Sequence, residues 1–144
     1  MSSTAATLTS ACWCFFPRLD PSACGGASAL EALLESQSDS DLRVFVIWEP
    51  VLATDLSAPS TITLRRIHDP RVKQYWDSKR VLSHAMGEHD RPSVVWDYIA
   101  VYKPEQIWTD APPQPEFTGR PVVRFIEGTR GALNTIYSEQ KKLN

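Results

Sequence analysis

The sequence predicts an α/β fold with a central mixed β-sheet of about four strands flanked by helices, and two observations carry that prediction. The first is the succession of patterns from Ala11 to Trp48. An apolar run is followed by Leu30, Leu33 and Leu34 at helical spacing, then by the nearly continuous β-branched and aromatic run Leu42-Arg43-Val44-Phe45-Val46-Ile47-Trp48. A run of that kind suits a strand covered on both faces and flanked by parallel neighbours, so strand, helix and strand make one right-handed βαβ unit. The second is a change of period toward the C-terminus. Alternation across Val94 to Tyr102 gives way to a helical stripe of Leu133, Ile136 and Tyr137.

Met1 to Ser10 is small and polar and reads as a flexible arm, leaving residues 11–144 as a single domain. The first strand is expected over Ala11 to Phe16, because small and aromatic apolar residues run there up to Pro17. The first helix starts at Ser22 or Cys24 and ends in the polar run Gln37 to Asp41. After the second strand, Glu49 to Pro59 is a loop and Thr61 to Ile67 a segment of undecided type. Asp69-Pro70 then reads as a helix start, with Asp as N-cap and Pro at the first helical position. Val72, Tyr75 and Trp76 would share one face of that helix, and Asp77-Ser78 would re-cap a second stretch carrying Val81, Leu82, Ala85 and Met86. Lys103-Pro104-Glu105-Gln106 supplies a turn after the last long strand, and Ile107-Trp108-Thr109 is expected to return antiparallel as its partner. Asp110 to Pro115 holds three prolines and reads as a stiff, exposed connector. Pro121 to Ile126 is apolar and undecided, and Thr129 to Leu143 is the closing helix.

The 144 residues carry 15 basic and 17 acidic side chains, a formal net charge of -2. That balance gives no footprint for nucleic acid, and no run of Lys or Arg suggests a membrane surface. The longest apolar runs fall far short of a membrane span, and Met1 to Ser10 has neither the basic start nor the apolar core of a signal peptide, so a cytoplasmic location is expected. Three unevenly spaced cysteines suit a reducing compartment better than a disulfide framework.

Cys24 is the candidate reactive group. An apolar strand, a short Pro-containing loop and a Cys in the first turn of a helix is a layout that activates a thiol, since the unpaired amides and dipole of the helix start stabilise the thiolate. Cys12 and Cys14 fall on one face of the first strand and Trp13 on the other. They read first as small buried hydrophobes, the commonest fate of a free cysteine, though the strand-loop-helix unit would bring Cys14 close enough to Cys24 to communicate.

The order β-α-β, helix, β-β, helix resembles the thioredoxin-like superfamily. The residues that carry the likeness are Phe15-Phe16, the loop to Cys24 and the Leu30-Leu33-Leu34 helix. Arg43 to Trp48, Asp69-Pro70-Arg71-Val72 with Tyr75-Trp76-Asp77, and Trp96-Asp97-Tyr98 resemble stretches of uncharacterised bacterial thioredoxin-like proteins. The resemblance implies a Cys-x-x-Cys at the start of the first helix and a cis-Pro before the strand that leads into the hairpin. Here Pro21-Ser22-Ala23-Cys24 keeps the second cysteine and puts Pro21 at the nucleophile's position. Val95-Trp96 occupies the cis-Pro position.

These readings lead to one expected function and one competitor. The first is a thiol-redox or thiol-sensing role centred on Cys24; if an enzyme, the protein would be a thiol-dependent oxidoreductase acting on a protein thiol or a small molecule. The second is a non-catalytic binding module whose groove is formed by Pro21, Ser22, Trp48, Pro50 and Trp96. No metal or cofactor is signalled. His84 and His89 are five residues apart and do not share a helix face, His68 reads as a surface turn residue, and Cys12, Cys14 and Cys24 offer three thiolates without a fourth ligand. Cys24-Gly25-Gly26 and Gly128 to Gly131 lack the context of a phosphate loop.

Overall fold

A computed structural model describes residues 11–17, 21–51, 57–86 and 95–143, with residues 11–17 and 21–24 described by backbone alone. The chain orders its elements as β1 (Ala11–Pro17), α1 (Pro21–Glu35), β2 (Arg43–Glu49), α2 (Thr61–Leu64), β3 (Val72–Trp76), α3 (Val81–Ala85), β4 (Tyr98–Tyr102), β5 (Phe117–Gly119) and α4 (Val122–Leu143). The fold is mixed α/β, as expected. Its sheet has five strands in the order β3-β2-β1-β4-β5, one more than the sequence suggested.

β2 lies parallel to both β1 and β3, so the apolar run of the second strand has the two parallel neighbours its composition called for. β4 runs antiparallel to β1, and β5 antiparallel to β4. Val44, Val46 and Trp48 of β2 join Ile99 and Val101 of β4 on one face, where Ala27, Leu30, Leu33 and Leu34 of α1 and Val122, Leu133 and Ile136 of α4 cover them. The leucine stripe of α1 is therefore a core stripe, and its burial against the sheet is what holds the helix in place. Ile47 and Ala100, on the opposite face, are also buried. The register sets Cys12 beside Val44 and Val101, and Cys14 beside Val46 and Ile99.

Four sequence expectations are corrected. The segment after Asp69-Pro70 is strand β3, not a helix. Asp69 does cap, but what it closes is a turn: its Oδ1 accepts the Arg71 amide at 2.9 Å, and Val72 N–H donates to Asp69 O at 3.0 Å. Beyond the turn, burial alternates along Val72 to Trp76, and Gln74 holds the strand inward by accepting from Trp48 Nε1 at 2.9 Å and donating to Leu64 O at 2.9 Å. The undecided segment just before it holds the short helix α2, with Ser60 as N-cap.

The partner of β4 is Phe117–Gly119 and not Ile107-Trp108-Thr109. Ile107 is 73% exposed and has no core to pair over, whereas Phe117 packs on the core. Gly119 and Gly128 make this possible, because a Cβ at Gly119 would overlap Phe125 and one at Gly128 would meet the Phe117 ring. Pairing resumes where Glu116 N–H donates to Val101 O at 2.8 Å, so Asp110 to Pro115 lies inside the β4–β5 connection.

The strand expected from Val94 begins only at Tyr98, because Asp97 takes a left-handed backbone with φ 47°. The helix expected from Thr129 starts at Val122 and takes in most of the undecided apolar segment before it. The stretch expected after Asp77-Ser78 is the short helix α3, whose Leu82 amide donates to Asp77 Oδ2 at 2.8 Å. Met1 to Ser10, Gly87 and the Arg91-Pro92-Ser93 strand start lie outside the described residues. Among the described residues no helix is long and apolar enough to cross a membrane.

Candidate functional site

Parallel β1 and β2 end on the same edge of the sheet, and the antiparallel register of Phe15 with Tyr98 brings the start of β4 to that edge as well. Gly119 pairs with Ile99, so the chain leaves β5 there too and passes through Arg120 and Pro121 into α4. One edge therefore collects Pro17 and the start of α1, Glu49-Pro50, Trp96-Asp97 and Arg120-Pro121. Ends of parallel strands with a helix start between them are the usual place for a site in an open α/β sheet, because backbone donors converge there without blocking side chains.

Pro21, Ser22, Ala23 and Cys24 are the first four residues of α1, which places Cys24 at the end of the opening turn. Their side chains, with those of Cys12 and Cys14, lie outside the described residues. Trp48 is 1% exposed and hydrogen-bonded to Gln74, so it is a core residue and presents no wall to a groove. Pro50 and Trp96 are half-buried. The Arg120 guanidinium carbon stands 5.9 Å from the centre of the Trp96 ring, a cation-π arrangement that fixes a cation at this edge. The cis peptide bond among the described residues is Arg120-Pro121, beside Trp96 in space rather than before it in sequence.

Two acidic groups at this edge have a burial that the sequence did not signal. Glu49, the last residue of β2, is fully buried. Asp97 is 3% exposed, and its Oδ1 accepts the Val122 amide at 3.0 Å. That carboxylate caps the start of α4 from 25 residues away, meeting both an unpaired amide and the positive end of the helix dipole. Replacing Asp97 with Ala is expected to lower stability by about 1–3 kcal/mol in urea unfolding, since a buried donor loses its partner. Asn keeps an oxygen and tolerates the left-handed backbone, so Asp97→Asn should retain most of the stability; an equal loss in both variants would show that the charge, not the cap, matters.

The groups with resolved pKa shifts sit at the opposite edge. Arg71 lowers the Asp69 carboxyl by side-chain hydrogen bonding, against the effect of burial, and Asp69 in turn raises Arg71. His68 is exposed, with Nδ1 3.6 Å from Glu31 Oε1 and its amide donating to Glu31 Oε2. His84 is exposed on α3, and His89 lies outside the described residues. Among the described residues no three His, Cys, Asp or Glu side chains are grouped to hold a metal ion.

The fold and edge define a mixed α/β domain with a helix start, two buried acidic residues, Glu49 and Asp97, and an arginine-tryptophan stack at the ends of its parallel strands. No family model matches the chain, and no curated protein and no solved structure is significantly similar to it.

Proposed function

We propose that this protein is a thioredoxin-like domain with a thiol-redox or thiol-sensing role centred on Cys24. The carrying observation is the place of Cys24, fourth residue of a helix that begins four residues after the central strand ends. Amides of that opening turn have no helical acceptor and favour a thiolate over a thiol. The element order supports the reading: a parallel βαβ unit, an antiparallel β4–β5 pair and a closing helix follow the order the resemblance implies, with β3 added at one edge.

In a variant with Cys12 and Cys14 replaced by Ser, alkylation of native Cys24 should rise through a pH midpoint below the unperturbed value of about 8.5. A midpoint above that of a free cysteine peptide, or labelling only after denaturation, would make Cys24 a packing residue. A second reading, the non-catalytic binding module, is favoured by Pro21 at the nucleophile's position and by the Arg120-Trp96 stack at the same edge. On that reading the native thiol stays silent.

A further inference from the structure

The edge of the sheet where β1 begins holds a groove of about 430 Å3 between the end of β4 and the last turns of α4. Buried Ile136 lies at its base, Pro104 and Leu143 add apolar walls, and Lys103, Glu105 and Glu139 complete it. Leu143 is 87% exposed, the largest exposure of any bulky apolar residue among the described ones. Lys103 Nζ is shared by two carboxylates, Glu116 Oε1 at 3.6 Å and Glu139 Oε2 at 3.7 Å, so the rim has no cation to spare for an acidic occupant.

The chain itself enters the sheet beside this groove. Ala11 pairs with Tyr102 and with Arg43, so Ser10 comes next at the register of Lys103 and Leu42. Cys12 and Cys14 are in register with Val44, Val46, Ile99 and Val101, the residues of β2 and β4 that α1 and α4 cover. Faces alternate along a strand, so continuing β1 backward sets Ser10 and Leu8 on that helix-covered face and Thr7 and Thr9 on the other. Depth follows from the repeat distances. α4 runs the same way as β4, from its Asp97-capped start to this edge, and Glu139 stands level with Lys103. Two strand residues advance about 6.6 Å, the rise of about four helical residues at about 1.5 Å each. Leu8, two residues beyond the register of Lys103, is thereby brought level with Leu143.

We infer that residues 7–10 continue β1 and seat Leu8 in this groove, so that its occupant is the chain's own N-terminal segment. Composition agrees with the seat. Among residues 2–10 Leu8 is the one side chain larger than Thr, and the segment carries no acidic side chain for the rim carboxylates to repel. Its Ser and Thr hydroxyls are donors that those carboxylates can accept from. Tethering decides between occupants. A segment joined to the sheet one residue from the groove is present at an effective concentration on the order of millimolar, which a free peptide or a second copy does not match. Seated there, the segment lengthens the middle strand of the sheet and covers Leu143.

Disulfide trapping in the full-length chain tests the seat. In a background with Cys12, Cys14 and Cys24 replaced by Ala, the pair Leu8→Cys and Leu143→Cys should close an intramolecular disulfide under oxidised glutathione. The pair Thr7→Cys and Leu143→Cys should close at least about tenfold more slowly, because position 7 falls on the other face and a bridge needs Cα atoms within about 7 Å. Hydrogen exchange on the unmodified protein is the second readout, and it alone decides if the cysteine-free background does not fold. The amides of residues 8–10 should be protected, and Leu8→Asp should return them to the rate of an unstructured peptide while β2 keeps its protection. Equal closure rates at positions 7 and 8 overturn the inference, as does unstructured-rate exchange in wild type or protection that Leu8→Asp leaves intact. Disulfides that join two chains, with a dimer in sedimentation that Leu143→Asp disperses, also overturn it and give the groove to a second copy. Cys24 chemistry has no part in any of these outcomes.

Discussion

Replacing Arg71 with Ala is expected to destabilise the protein by about 2–4 kcal/mol, the effect of removing one partner from a mostly buried ion pair and leaving several oxygens without their donor. The guanidinium is tied on every side. Its Nε and Nη2 donate to Asp69 at 2.9 and 2.6 Å, its Nη1 to Gln37 O and Asp39 O at 2.8 Å each, and its Nη2 also to Leu34 O at 2.6 Å. Three of those acceptors lie at or just beyond the end of α1, so Arg71 caps that helix's carbonyls while it anchors the turn before β3. Lys has no planar fork and should recover little of the loss. The pH dependence gives a second readout. Arg71 holds Asp69 below its ordinary value of 3.8, so the pair's contribution is fully present above that value and is lost as pH falls through the lower folded-state value. Wild type should therefore lose stability on acidification below about pH 4, and Arg71→Ala should show a shallower loss over the same range. Parallel curves in urea unfolding measured against pH would show that the pair contributes nothing.

Leu33→Ala is expected to cost about 2–5 kcal/mol, through lost burial and the cavity left behind. Leu33 is 1% exposed and sits with Leu30 and Leu34 against β2, β4 and α4, where neighbours on several elements would have to move together to refill the space. Chemical denaturation should show the loss as a lower midpoint with little change in slope. A change within about 0.5 kcal/mol would be the behaviour of a surface residue and would contradict the packing of α1.

What could be read from sequence was what local pattern determines. The βαβ unit was legible because a leucine stripe and an unbroken β-branched run each admit few alternatives. β3 was not, because Val72 and Trp76, four residues apart, share a face in a helix and in a strand alike. Asp69-Pro70 tipped the local signal toward helix, while the β2 edge and the Trp48-Gln74 hydrogen bond decided it, and neither is visible locally. The hairpin partner was misplaced for a similar reason: Phe117 wins over Ile107 only because α4, through Gly119 and Gly128, comes close enough to bury it. At the candidate site the position of Cys24 at a helix start was legible. The role of Asp97 was not, since its partner is an amide on another element, and Trp48 looked like a groove residue because strand-end aromatics are indistinguishable from core ones until the packing is known.

The place of β1 in the sheet also bears on how this protein is made. Of the five strands of the sheet, β1 is synthesised before the others and becomes the middle one, yet one of its two flanks is completed only by β4, where Ala11 pairs with Tyr102. Until the ribosome has released β4, the nascent β1–β2–β3 ribbon has an open apolar edge on β1, the kind of edge that recruits other strands. Truncated chains ending before Tyr98 should therefore precipitate, and folding should be slow for a domain of this length, because its central pairing must wait for the longest loop to close.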